Sequence, residues 1–113
     1  MEVSKSSIVQ DWLPRYTGAP LNEFGEYILL TNFYKYLEVF SKTYKTEIKG
    51  VNRPMPHTTA NGITLINFNM GSPNAATIID LLTAIKPKAC LFLGKCGGLK
   101  KKNNIGDFIL PLA

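Results

Sequence analysis

Apolar residues along the chain fall into short continuous runs separated by amphipathic stretches, the pattern of an α/β domain. Residues 27–30 (Tyr-Ile-Leu-Leu), 63–68 and 89–93 are apolar runs of strand length, as expected for strands buried on both faces. Between the first two, Phe33, Tyr36, Leu37, Phe40 and Tyr44 recur at helical spacing, after Thr31 and Asn32, whose side chains suit a helix cap. Between the last two, Ala75, Ala76, Ile78, Ile79, Leu82 and Ile85 form one broad apolar face that stops before Pro87. Ser72 is expected as its N-cap and Pro73 as its first helical residue.

The remaining elements are shorter. Ile8 and Trp12 suggest a small amphipathic helix ended by Pro14, with another helical turn at residues 21–24. Residues 46–51 are a weaker strand candidate, and residues 52–56 are held extended by their prolines. Asn61-Gly62 is a hairpin signal. The strand–helix–strand pattern from residue 63 to 93 predicts a parallel pair, 63–68 beside 89–93, joined by a right-handed crossover. Its two glycine-bearing exits, Met70-Gly71 and the loop from Gly94 to Gly98, then face one crevice at the carboxyl edge of the sheet. The run 108–112 predicts a final strand. Domains ordinarily close on exposed polar residues, so this apolar run predicts a domain that continues past Ala113.

Composition narrows the class. The chain has 113 residues, 45% hydrophobic and 19% charged, which suits one soluble domain with one core. No apolar run approaches the roughly 20 residues that cross a bilayer, and residues 1–10 carry no apolar signal segment. Cys90 and Cys96 are too few for a disulfide framework or a zinc site, so a reducing cytoplasm is expected and no metal. The net charge of +5 owes much to Lys95 and to Lys100, Lys101 and Lys102. The lysine run carries no interleaved aromatics and fits a solvated turn better than a nucleic-acid contact.

Candidate chemistry concentrates in the glycine-rich exits. Gly94, Gly97 and Gly98 permit close ligand approach and free backbone N–H groups for an anion, though a tight strand exit explains them equally well. Lys95 within that loop is either an anion ligand or an exposed charge. Met70 and Gly71 offer an apolar thioether and close approach to a flat group such as a sugar ring. Cys96 beside a lysine has a thiol open to activation, yet no histidine accompanies it, which favours a packing role. Ser72 fits a cap better than a nucleophile. Arg53 is a phosphate ligand or a solvated charge. His57, the lone histidine, is expected at a surface or interface.

In sequence order, Asn69-Met-Gly-Ser-Pro-Asn74, then Gly94-Lys-Cys-Gly-Gly98, then Gly106-Asp-Phe-Ile109 resemble the nucleoside phosphorylase superfamily from about Tyr16 onward. The resemblance implies a mixed or parallel sheet flanked by helices, with residues 1–113 as the N-terminal half of a single domain and residues 1–20 as a peripheral segment. It implies cleavage of a purine N-glycosidic bond without a cofactor, in a homo-oligomer. The substrate-binding residues it implies are Met70, Gly71, Gly94, Lys95, Cys96 and Gly97, with Arg53 contributing across a subunit interface. The superfamily's phosphate loop after the first strand is replaced here by Thr31-Asn-Phe33, without arginine, and Lys95 stands where a serine is usual. Loss of the inorganic-phosphate clamp implies water as the nucleophile and Lys95 on the substrate's own 5′-phosphate. The expected reaction is thus hydrolysis of AMP to adenine and ribose 5-phosphate, the alternatives being a purine nucleoside phosphorylase or another nucleosidase, and a non-catalytic nucleotide-binding or assembly module. The acids that hold the ribose and protonate the purine are expected beyond Ala113.

Overall fold

The computed structural model describes residues 3–112; residues 1, 2 and 113, which the N-terminal segment and the final apolar run include, lie outside it. Helix α1 spans Lys5–Thr17. Strand β1 covers Tyr27–Thr31, helix α2 Tyr34–Tyr44, strand β2 His57–Ala60 and strand β3 Ile63–Asn67. Helix α3, Ser72–Leu81, runs into a 3₁₀ turn at Leu82–Ala84, and strand β4 covers Ala89–Phe92. A second 3₁₀ turn occupies Leu21–Glu23, as the sequence led one to expect.

The four strands form one mixed sheet in the order β2-β3-β1-β4. This corrects the expected pairing. The segments 63–68 and 89–93 do run in the same direction, but β1 lies between them and pairs with both in parallel. The crossover through α3 therefore passes over a central strand, which local apolar pattern cannot reveal. Strand β2 joins β3 as an antiparallel hairpin. Asn61 and Gly62 take left-handed φ of 53° and 77°, the conformation a two-residue turn of this kind requires.

The two faces of the sheet carry different helices. Ile28, Leu30, Ile66 and Phe68 share a core with Val9 and Leu13 of α1 and Ile78, Leu81 and Leu82 of the α3 segment. α2 packs against β2 and β3, with Leu37 fully buried. Helix α1 continues through Pro14 rather than ending there. Its last turn closes on Gly18 at φ 77°, whose N–H donates to the Pro14 carbonyl at 2.7 Å. Gly50, at φ 71°, lies so near the Thr17 carbonyl that a Cβ would collide with it, which docks the 50s loop against the end of α1. Residues 46–51 contribute one isolated bridge, Lys49 to His57, instead of a strand.

Three further expectations change. β4 is an edge strand with all four residues exposed, not a buried one, because among the described residues only β1 pairs with it and no strand lies on its other side. Residues 108–112 form no strand; Phe108 and Leu112 are 97% and 93% exposed, with no partner strand alongside. His57 is 2% exposed rather than on the surface, since its ring stacks on Phe24 above the start of β2. The lysines 100–102 do form an exposed turn, closed by Asn103 N–H to the Lys100 carbonyl at 2.9 Å. No helix of the described residues is long and apolar enough to cross a membrane.

Candidate functional site

Helices α2 and α3 leave adjacent parallel strands, β1 and β3, for opposite faces of the sheet. That divergence opens a crevice at the carboxyl edge, where α/β sheets bind ligands. Here it is a cleft of about 340 Å³ lined by Leu30 and Asn32 from the end of β1, Phe68, Gly71 and Ser72 after β3, Ala75 and Ile79 of α3, and Phe92 of β4. A larger hollow of about 500 Å³ lies at the opposite edge, among loop residues that include Glu26 and Lys88. Those two are already paired at 3.0 Å and solvent-exposed, and among the described residues no buried, unpartnered side-chain polar atom lines the hollow. The carboxyl-edge cleft is therefore the stronger candidate.

Local backbone explains its shape. Gly71 takes φ 98° as the N-cap of α3, a conformation that disfavours any side chain. Ser72 is consequently the first helical residue instead of the cap, and Pro73 follows it. Asn69 also has a left-handed φ, 66°. Its side chain donates to the Pro54 carbonyl at 2.6 Å, tying the β3 exit to the 50s loop. On the β1 side, the Thr31 hydroxyl accepts from the Phe33 N–H at 3.1 Å. Helix α2 has Phe33 at its N-cap and no side-chain cap, so Thr31 and Asn32 do not cap it as expected. The Asn32 Oδ1 is buried without a hydrogen-bond partner.

The residues singled out from sequence distribute around this cleft unevenly. Gly71 lines it, and Met70 stands beside it, 75% exposed, its carbonyl bound by the Asn74 amide at 3.0 Å. Gly94 follows the strand exit, and a side chain there would strike the Phe92 ring. The Lys95 ammonium sits 4.7 Å from the Phe33 ring centroid and 5.7 Å from that of Tyr36, at the foot of α2. Cys96 and Gly97 line a separate hollow of about 360 Å³ with Asn103, Asn104 and Asp107. The Arg53 guanidinium turns to the end of α1 and donates to the Arg15 carbonyl at 3.4 Å. Asn32, which sequence reasoning treated as a cap and as part of the segment replacing the superfamily's phosphate loop, was not named as a binding residue, yet it lines the cleft.

Cys90 and Cys96 are free thiols. Among the described residues no three His, Cys, Asp or Glu side chains gather into a metal-binding group. No carboxylate lines the cleft itself.

A mixed sheet with helices on both faces, and an apolar cleft at its carboxyl edge beside a positive-φ glycine, defines an α/β fold of the class whose ligands bind at that edge. The phosphorylase superfamily model matches residues 17–113, and the chain belongs to that superfamily. It resembles the AMP nucleosidase of Escherichia coli strain K12 at 30% identity, with 89% of this chain and 28% of that protein covered. The AMP nucleosidase of Escherichia coli O157:H7 matches to the same extent. The crystal structure of AMP nucleosidase from Bacteroides thetaiotaomicron VPI-5482 superposes with a TM-score of 0.83 at 60% identity, covering 86% of this chain and 42% of that one. The chain thus spans well under two thirds of the length of each of these relatives.

Proposed function

We propose that the protein hydrolyses the N-glycosidic bond of AMP, releasing adenine and ribose 5-phosphate. The observation that carries this reading is the carboxyl-edge cleft, with the Lys95 loop leaving the neighbouring parallel strand at the same edge, in a chain 60% identical to a protein described as an AMP nucleosidase. Met70 and Gly71 contact the ribose, and the loop of Gly94, Lys95, Cys96 and Gly97 follows the sugar and its 5′-phosphate. Lys95 supplies the positive charge at the cleft rim. Arg53 serves a phosphate only after leaving the Arg15 carbonyl, or in a neighbouring subunit's site.

In this reaction water adds to C1′ while the bond to the purine nitrogen breaks through an oxocarbenium-like state, and the departing base takes up a proton. The cleft lining offers no carboxylic acid for that proton. The acid is accordingly supplied from outside this lining, in keeping with residues 1–113 being one part of a single catalytic domain. The working protein is a cytoplasmic homo-oligomer. An assay of the complete gene product with AMP and with adenosine, reading free adenine and the sugar product, tests the proposal. Adenine and ribose 5-phosphate in equal amounts from AMP support it; cleavage of adenosine alone, or no cleavage, overturns it.

A further inference from the structure

Met70 is exposed, so packing does not decide where its side chain points. The backbone around it does. Asn69 before it takes a left-handed φ of 66°, and Gly71 after it takes 98°. Glycine reaches such angles freely, and asparagine is one of the few other residues that tolerate the left-handed region. Asparagine also brings an amide. The Asn69 Nδ2 donates to the Pro54 carbonyl at 2.6 Å, and the Asn69 backbone N–H donates to the Oδ1 of the buried Asn67 at 2.9 Å. The residues flanking Pro54 are held too. The Met55 N–H donates to the Tyr16 carbonyl and the Pro56 carbonyl accepts the Asn67 N–H, both at 2.9 Å. The Asn74 amide in turn holds the Met70 carbonyl at 3.0 Å.

We infer that Asn69 is a positioning residue, whose left-handed backbone and amide tether to the Pro54 carbonyl aim the Met70 side chain at the ribose. This rests on the hydrolytic reading above and adds a residue to it. Asn69 does not line the cleft, so it acts through its neighbour and not on the substrate. The hydrogen bond to Pro54 is exposed, and such a bond between neutral groups contributes little to stability. Its effect on the reaction is larger, because a misplacement of about 1 Å can cost roughly 100-fold in rate. The sugar ring is flat and electron-poor in the oxocarbenium-like state. A polarisable thioether set against it therefore gains most in the transition state, which is where positioning shows in kcat.

The test uses the complete gene product with Asn69→Gly and Asn69→Asp. Both substitutions tolerate the left-handed φ, and neither side chain can donate to Pro54 at neutral pH. Melting curves should therefore stay close to the parent's. Adenine release from AMP is measured for each variant alone and combined with Met70→Ala. The expected result is a kcat ~5- to 50-fold lower with KM changed less than ~3-fold, and a change below ~2-fold once residue 70 is already alanine. A substitution that merely reduced the amount of folded enzyme would cost the same in both backgrounds, and that outcome overturns the inference. Asn69 variants within ~2-fold of the parent also overturn it, while leaving the hydrolytic reading intact. Should the parent release no adenine from AMP, that reading fails. In that case, or where Met70→Ala alone is too slow to assay, binding decides the inference. The Met70 methyl resonance, identified by its absence in Met70→Ala, must then shift on saturation of the parent with ribose 5-phosphate and lose that shift in both Asn69 variants. An unmoved methyl in the parent, or an equal shift in the variants, overturns it.

Discussion

The Lys95 ammonium rests 4.7 Å from the centre of the Phe33 ring, so a charge from the loop after β4 is held against the residue that opens α2. Loop and helix come from strands adjacent in the sheet, β4 and β1. A cation on an aromatic face at an exposed site gains only about 0.5–1 kcal/mol. That is enough to aim the ammonium and too little to immobilise it, so a phosphate can recruit it.

Lys95→Ala in the complete gene product should therefore weaken AMP far more than adenosine. A lost charge-assisted hydrogen bond costs about 1.5–3 kcal/mol, or roughly ten- to a hundredfold in affinity. Titration calorimetry with both ligands reads the difference. Equal losses would mean that Lys95 does not contact the 5′-phosphate.

The packing of α1 yields a stability prediction. Leu13 is fully buried and sits in the same cluster as Ile66 and Ile78, so α1 contributes to the core of the sheet. Leu13→Ala should cost about 2–5 kcal/mol, the range for a buried leucine that leaves a cavity. Urea denaturation measures it. A cost below about 1 kcal/mol would make α1 a peripheral segment.

His57 gives the fold a pH dependence. Burial lowers its pKa below 6.5, and Lys49 adds to that effect while Glu23 opposes it. The unfolded chain then takes up the proton first as pH falls. The contribution of the neutral ring is complete above about pH 6.5. It is lost progressively as pH drops from there toward the lower folded value. Denaturation midpoints measured from pH 7.5 down to pH 5 should fall more steeply for the parent than for His57→Gln. Parallel slopes would remove His57 from the account.

Much of this arrangement was legible in the sequence because it is local. Asn61-Gly62 can hardly be anything but a turn with positive φ, and the spacing from Phe33 to Tyr44 admits one helix face. The carboxyl-edge placement of Met70-Gly71 and the Gly94 loop followed from parallel strands, and the strands are parallel. What was not legible depended on distant partners. Tyr27–Thr31 carries nothing that says it divides β3 from β4. The burial of His57 comes from Phe24 and the 50s loop, and β2 is a strand because β3 returns beside it, despite its flanking proline. Residues 108–112 have strand composition without a strand to join. Asn32 looked like a cap because asparagine before a helix usually is one; that it lines the cleft depends on where β1 falls in the sheet.

The final prediction concerns the 113-residue chain by itself: it should release no measurable adenine from AMP. The chemistry needs a proton on the departing purine, and no carboxylic acid lines the cleft. Asp80, next to the cleft residue Ile79 in sequence, does not line the cleft and holds an exposed ion pair with Lys5 of α1 at 3.0 Å. Asp107 accepts the Asn104 N–H at 2.9 Å inside its own turn. The same chain should self-associate, because β4 presents Leu91 and Phe92 at 60% exposure along a sheet edge with unpaired backbone groups. Size-exclusion chromatography beside an adenine-release assay examines both points on one sample. Robust adenine release from a clean monomer would show that the proton comes from Asp80, Asp107 or His57 after all, and Asp→Asn and His→Gln changes at those three positions would then identify the donor.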